Sequence, residues 1–142
     1  VSLEQTVVDE ARSWILTPYH SQQRVKGVGV DCAQLLIGVY VNARAIEPTN
    51  GPEYYSPDWH FHHNEEVLLE WVERYAREVT EARPADIVMY RFGKTFSHVG
   101  IVTEWPFVVH AVRKDRIVHE EDGRAGVYAP PREIKLYRLR QL

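Results

Sequence analysis

Apolar positions recur at helical spacing in the first half of the chain and at strand spacing in the second. Between Ser2 and Leu16, Val7, Val8, Ala11, Trp14 and Ile15 fall on one face of an amphipathic helix. Ser2 with Gln5 fits a capping box, and Thr17-Pro18 closes the helix, because the residue before a proline is driven out of the α region. A second helix is expected from Cys32 to about Arg44, with Ala33, Leu36, Ile37, Tyr40 and Val41 recurring along it and Asp31 at its N-cap. A third is expected from about Asn64 to Thr80, with Val67, Leu68, Trp71, Val72 and Tyr75 as a core-facing stripe and Glu65 and Glu66 at the positive end of its dipole. Tyr19 to Gly29 reads as a polar loop with a flexible Lys26-Gly27-Val28-Gly29 approach to Cys32. The segment from Glu47 carries Pro48, Gly51, Pro52 and Pro57 and must be loop. Its Tyr54, Tyr55 and Trp59 are costly to expose, so it is expected to pack on the body or to wall a groove.

The period changes at Pro84. Ile87 to Tyr90, Val99 to Val102, Phe107 to Val109 and Ile117 to Val118 are short runs rich in β-branched and aromatic residues, separated by turn-rich segments, and Ile134 to Leu139 could add another. Helices first and strands second predict an α+β protein, with the helices packed on an antiparallel sheet.

Composition narrows the function classes. A chain of 142 residues with 44% hydrophobic and 26% charged residues fits one domain over 1–142 with its own core. A net charge of −3 argues against a nucleic-acid footprint. No apolar run reaches the ~20 residues of a membrane span. Val1 to Gln5 shows no basic stretch leading into an apolar one, so no signal peptide is expected. That favours synthesis in the cytoplasm. The single cysteine excludes an internal disulfide.

That cysteine carries the candidate chemistry. Cys32 sits where a helix N-terminus offers partial positive charge and free N–H groups, which favour a thiolate and should depress the thiol pKa. Two histidines follow in consecutive strands, Ser97-His98-Val99-Gly100 and Val109-His110-Ala111, joined by Glu104-Trp105-Pro106. If Thr103 pairs with Phe107, His110 lies opposite Gly100 and His98 lies diagonally from it on the same face, with Gly100 leaving room. A thiol, a base and a group that orients the base are the parts of covalent acyl transfer. His60, His62 and His63 offer no cysteine partner and no helical His-x-x-x-His pair, so no metal site is expected. No cofactor is implied.

Tyr19 after Thr17-Pro18, the Asp31-Cys32 helix start, Ala85-Asp86-Ile87-Val88-Met89-Tyr90, Ser97-His98-Val99-Gly100-Ile101-Val102 and Val109-His110-Ala111 resemble, in order and spacing, the NlpC-type cell-wall peptidases. These are papain-like cysteine peptidases of bacterial peptidoglycan. Tyr55-Ser56-Pro57-Asp58-Trp59-His60 and the acidic helix after it resemble the branch found in bacteriophage tail proteins. The resemblance implies a papain-like fold with Cys32 as nucleophile, His98 as general base and His110 as its orienter. It implies that Tyr19 and the Cys32 N–H hold the oxyanion and that Asp31 holds the substrate peptide; Trp59 in the aromatic loop and Ser97 beside His98 are further candidate substrate contacts. It implies hydrolysis of a stem-peptide amide next to D-glutamate, phage tail proteins as partners, and, with no signal peptide expected, delivery by a virion or a partner protein. Ala33 and Gln34 stand where the family usually has serine and glycine, which bears on specificity more than on the nucleophile. The rival readings are a phage tail assembly module that keeps the fold without hydrolysis, and a related thiol amidase or acyltransferase.

Overall fold

Ser2 begins the first helix as expected: its Oγ accepts from Gln5 N at 3.0 Å, and α1 runs Leu3–Arg12. It is shorter than its apolar stripe. The backbone leaves the helix after Arg12, and Leu16 takes a φ of 76° before its N–H joins Val118 O. Trp14 still packs inside, 2% exposed, with its indole N–H on Glu10 at 2.8 Å.

The computed structural model describes residues 1–52, 67–125 and 132–142. In the supposed polar loop it forms a small antiparallel hairpin of β1 (Arg24–Val25) and β2 (Gly29–Val30). Gly27, at φ 79°, makes the turn, and its N–H is held by Thr17 Oγ1 at 3.0 Å. The approach to Cys32 is therefore a pinned turn, not a free linker. Gly29 has its own requirement, because a Cβ there would lie 2.8 Å from His20 Cβ and collide with Gln23. The next element is α2 (Cys32–Asn42), capped by Asp31. Every residue of α2 from Ala33 to Tyr40 is buried, so it is the central helix of the core.

Helix α3 (Val67–Tyr75) presents Leu68, Leu69, Trp71 and Val72 inward. The chain then turns into β3 (Ala76–Val79), where the sequence pattern had predicted more helix. The apolar stripe stops at Tyr75, and Ala76 to Val79 pair instead with the last strand. Strands β4 (Ile87–Phe92), β5 (Thr95–Glu104), β6 (Phe107–Val112), β7 (Ile117–Asp122) and β8 (Ile134–Leu139) complete a six-stranded antiparallel sheet of order β3-β8-β4-β5-β6-β7. The main core lies between sheet and helices, joining Val7, Trp14, Leu35, Leu36, Trp71, Ile87, Val99, Ile101, Val109 and Tyr137. A second, smaller apolar cluster holds Val88, Tyr90, Val102 and Val108. The expected α+β layering of helices on an antiparallel sheet is present. Among the described residues no helix is long and apolar enough to cross a membrane.

Candidate active site

Two backbone junctions aim the N-terminus of α2. Val30 N–H bonds Pro18 O and His20 N–H bonds Val30 O, each at 3.0 Å, so Tyr19 runs beside Val30, two residues before the cysteine. Asp31, 1% exposed, accepts from Gln34 N at 2.8 Å through one oxygen and from Gln22 N at 2.6 Å through the other. It is thus a cap that also fastens the preceding loop. Cys32 comes next, and its Sγ lies 3.9 Å from Ser97 O. Ser97, 6% exposed, sits where the register between β4 and β5 slips, between the pairs Tyr90↔His98 and Arg91↔Phe96. Val99 N–H also faces the sulfur. The thiol therefore meets β5 on both backbone sides of His98.

The thiol is not primed as its helix position suggested. Burial pushes it up to about 12, and the negative charge of Asp31 adds to this, against the backbone N–H groups of Val99, Ala33 and Cys32 that favour a thiolate. A helix terminus lowers a thiol pKa, but here desolvation is the larger effect, and the expectation of a depressed pKa is corrected. Burial likewise raises the Tyr19 phenol, with the Asp31 charge adding, so its hydroxyl keeps its proton and can donate.

The histidines meet as the hairpin reading predicted. Ile101↔Val109 and Val102↔Val108 hold the expected register, and only the pair at the turn differs, Glu104 replacing Thr103 opposite Phe107. His98 Nε2 lies 3.0 Å from His110 Nδ1. Room at Gly100 is not what permits this, since a Cβ there would make ordinary contacts of 3.4 and 3.5 Å. The His98 ring stacks on Phe92 at 5.2 Å between centroids.

The chain of contacts continues to a residue the sequence reading passed over. His110 is fully buried, and its Nε2 lies 2.7 Å from Glu121 Oε1. The hydrogen bond from His110 holds the Glu121 carboxyl below its usual range, so it is ionised and can only accept. Burial lowers His110 despite that carboxylate, so the ring is neutral, with its one proton on Nε2. Nδ1 must then accept, and His98 Nε2 must donate to it. The lone pair of a neutral His98 is left on Nδ1, the nitrogen that does not face His110. The signal for Glu121 was present in His119-Glu120-Glu121-Asp122, but it reads as a solvated acidic run until the pair His110↔His119 fixes its register. His119 stacks on His110, ring centroids 5.1 Å apart and 11° from parallel. Among the described residues, His110, His119 and Glu121 form a group whose donor atoms lie close enough together to hold a metal ion. Trp59, His60, His62 and His63 lie outside the described residues.

This architecture is the papain-like α+β fold of NlpC/p60 domains. NlpC1 from Trichomonas vaginalis matches with a TM-score of 0.68 at 16% identity, over 96% of this chain and 43% of that one. The NlpC/p60 domain of the peptidoglycan hydrolase SagA matches with a TM-score of 0.62 at 17% identity, over 96% of this chain and 98% of that one. RipD from Mycobacterium tuberculosis, a non-catalytic NlpC/p60 domain protein adapted to peptidoglycan binding, matches with a TM-score of 0.64 at 13% identity, over 97% and 98% of the two chains. No protein-family model matches the sequence, and no curated protein does.

Proposed function

We propose that this chain is a cysteine peptidase that hydrolyses amide bonds in peptidoglycan stem peptides through a Cys32 thioester. The observation that carries the reading is the contact series His98, His110, Glu121, in which each group fixes the proton position of the one before it, with His98 on the strand whose backbone at Ser97 O meets the Cys32 sulfur. The likeness to peptidoglycan hydrolase domains supplies the substrate class.

Cys32 Sγ attacks the scissile carbonyl while its proton passes to His98 Nδ1. Because the resting thiol is protonated, attack and proton transfer belong to one general-base step and do not start from a standing ion pair. The Tyr19 hydroxyl and the Cys32 N–H hold the oxyanion, and such donors commonly supply ~3–4 kcal/mol each. His98 returns the proton to the leaving amine and leaves a thioester. It then takes a proton from water, whose oxygen attacks the thioester, and the acid departs as the thiol is restored. His110 and Glu121 keep His98 in the tautomer this requires. Asp31, Ser97 and Trp59 are the proposed contacts to the peptide. A place in a phage tail, with the domain carried to the wall by the particle, belongs to the same proposal.

The test is incubation with defined muropeptides and mass spectrometry of the products. Wild-type protein should cleave one stem-peptide amide. Cys32→Ala and His98→Ala should leave background only, and His110→Ala should retain a residue of turnover after a loss of roughly 100-fold. Products identical to those of Cys32→Ala, from protein with an intact thiol, would overturn the reading.

A further inference from the structure

We propose that His110, His119 and Glu121 form a binding site for a divalent transition metal such as Zn²⁺, and that its occupation switches His98 off as a base. The switching half rests on the peptidase reading above, whereas the binding half does not.

The strands build the site. His110 on β6 pairs directly with His119 on β7, and Glu121 lies two residues further along β7 on the same face. The donor atoms of the three, one from each side chain, all lie within 4.8 Å of one another. Glu121 Oε1 is 2.7 Å from His110 Nε2 and 3.3 Å from His119 Nε2, and Asp115 Oδ2 is also 3.3 Å from His119 Nε2. Two donors ~2.0–2.1 Å from a tetrahedral zinc stand about 3.3 Å apart, so His119 is already at ligand spacing from both carboxylates. The His110–Glu121 contact must open by about half an ångström, and the two imidazole nitrogens, which like the rest of the group lie within 4.8 Å, close onto the ion by a small ring rotation.

His119 points to a ligand independently. Its Nε2 is sealed from solvent and makes no hydrogen bond of acceptable geometry, although two carboxylates flank it. A buried polar atom in that state is costly, and a metal ion would satisfy it. Two imidazoles and a carboxylate are a donor set that suits zinc. The side chains of His119 and Glu121 are 28% and 26% exposed, which leaves a way in, while His110 at 0% closes the inner wall.

Binding would rewrite the tautomers. A metal needs the lone pair of His110 Nε2, so the proton there leaves for solvent. The proton of His98 Nε2 crosses the 3.0 Å contact to His110 Nδ1, and His98 Nδ1 takes one from solvent. The number of protons on the pair is unchanged, but the nitrogen that should accept the Cys32 proton is now occupied. His119 contributes no atom to the Cys32–His98–His110–Glu121 series, so its loss should cost the metal without costing the base.

The experiment uses Cys32→Ser protein, which has no thiolate to capture metal, with Co²⁺ as a visible probe. One equivalent should bind with the absorption of a nitrogen- and oxygen-ligated site, be displaced by Zn²⁺, and be lost in Cys32→Ser/His119→Gln. With the native cysteine, Zn²⁺ should inhibit muropeptide turnover over the same concentration range. His119→Gln should keep basal turnover and need at least tenfold more Zn²⁺. Should His119→Gln fold poorly, ¹⁵N chemical shifts of the imidazoles in the Cys32→Ser protein give the same answer, because Zn²⁺ should move the His98 proton from Nε2 to Nδ1. Absence of Co²⁺ binding to Cys32→Ser, binding indifferent to His119→Gln, or inhibition undiminished by His119→Gln would each overturn the inference. Because Cys32→Ser cannot turn over, a failure to bind metal is separate from any failure of the peptidase reading.

Discussion

Burial and the Asp31 carboxylate raise the Cys32 thiol, and that shapes what can be measured on it. Three backbone N–H groups favour the thiolate, but burial and the Asp31 carboxylate outweigh them. Alkylation by iodoacetamide in the absence of substrate should therefore be slow at neutral pH. Its rate should still be climbing well above the free-cysteine value of ~8.5, as expected for a thiol at about 12. Asp31→Asn keeps an acceptor for Gln34 N–H while removing the charge, so it should move the curve downward. A midpoint below that of free cysteine in the wild type would show that pairing with His98 dominates, which is the order of effects the helix position alone suggested. The meeting of His98 and His110 was legible because alternation along two strands places both rings on one face. The state of the thiol was not legible, because burial is a property of everything that packs around a residue and leaves no mark at the residue itself.

At the scale of elements, two junctions keep the site in register. The first is Glu10 on α1, which ties the helix to Lys26 beside the β1–β2 turn at 2.8 Å, to Trp14 at 2.8 Å and to Asn42 on α2 at 3.1 Å. Burial alone would raise the Glu10 carboxyl, but hydrogen bonds from Lys26, Asn42 and Trp14 hold it below its usual value. A folded-state pKa below the unfolded one gives stability that is present above the unfolded value of ~4.3 and is lost as pH falls through the folded value. Thermal unfolding should show this acid loss, and Glu10→Gln should flatten the profile there while lowering the plateau at neutral pH. A Glu10→Gln profile parallel to wild type would remove the junction from the account. The second junction is the bidentate pair of Arg138 on β8 with Asp86 at the start of β4, at 2.9 and 2.8 Å, with the acid fully buried and the arginine 7% exposed. Asp86 also caps Arg83 N–H at 2.8 Å. Removing one partner of a buried pair leaves the other charge stranded, so Asp86→Ala should cost about 3–5 kcal/mol in urea unfolding. The double change Asp86→Ala/Arg138→Met should recover most of that, and a single-variant loss under about 1 kcal/mol would refute the argument. Neither junction was legible in the chain. Asp86 and Arg138 lie far apart in sequence, and only the pairing of β4 with β8 brings them together. For the same reason β3 read as helix: its partner is the last strand, and four residues carry too little period of their own.

For the molecule as a whole, the α+β layering was legible because it is written in the change of period near Pro84, and the strand order was not, because pairings such as β3 with β8 are long-range. The activity lies beyond either. The same architecture serves SagA, a peptidoglycan hydrolase, at a TM-score of 0.62 and RipD, a non-catalytic binder, at 0.64, so fold alone does not choose between the two roles. The choice rests on whether binding and turnover separate at Cys32. Replacing the –CH2SH side chain by –CH3 removes the nucleophile and leaves the rest of a substrate groove in place. Cys32→Ala should therefore sediment with purified insoluble peptidoglycan as wild type does, while wild type alone releases soluble stem-peptide fragments. Equal sedimentation with no release by either protein would make this chain a binder. No sedimentation and no release would mean that the substrate class itself is wrong, and the Cys32 series would then have to be tested on other amides and esters.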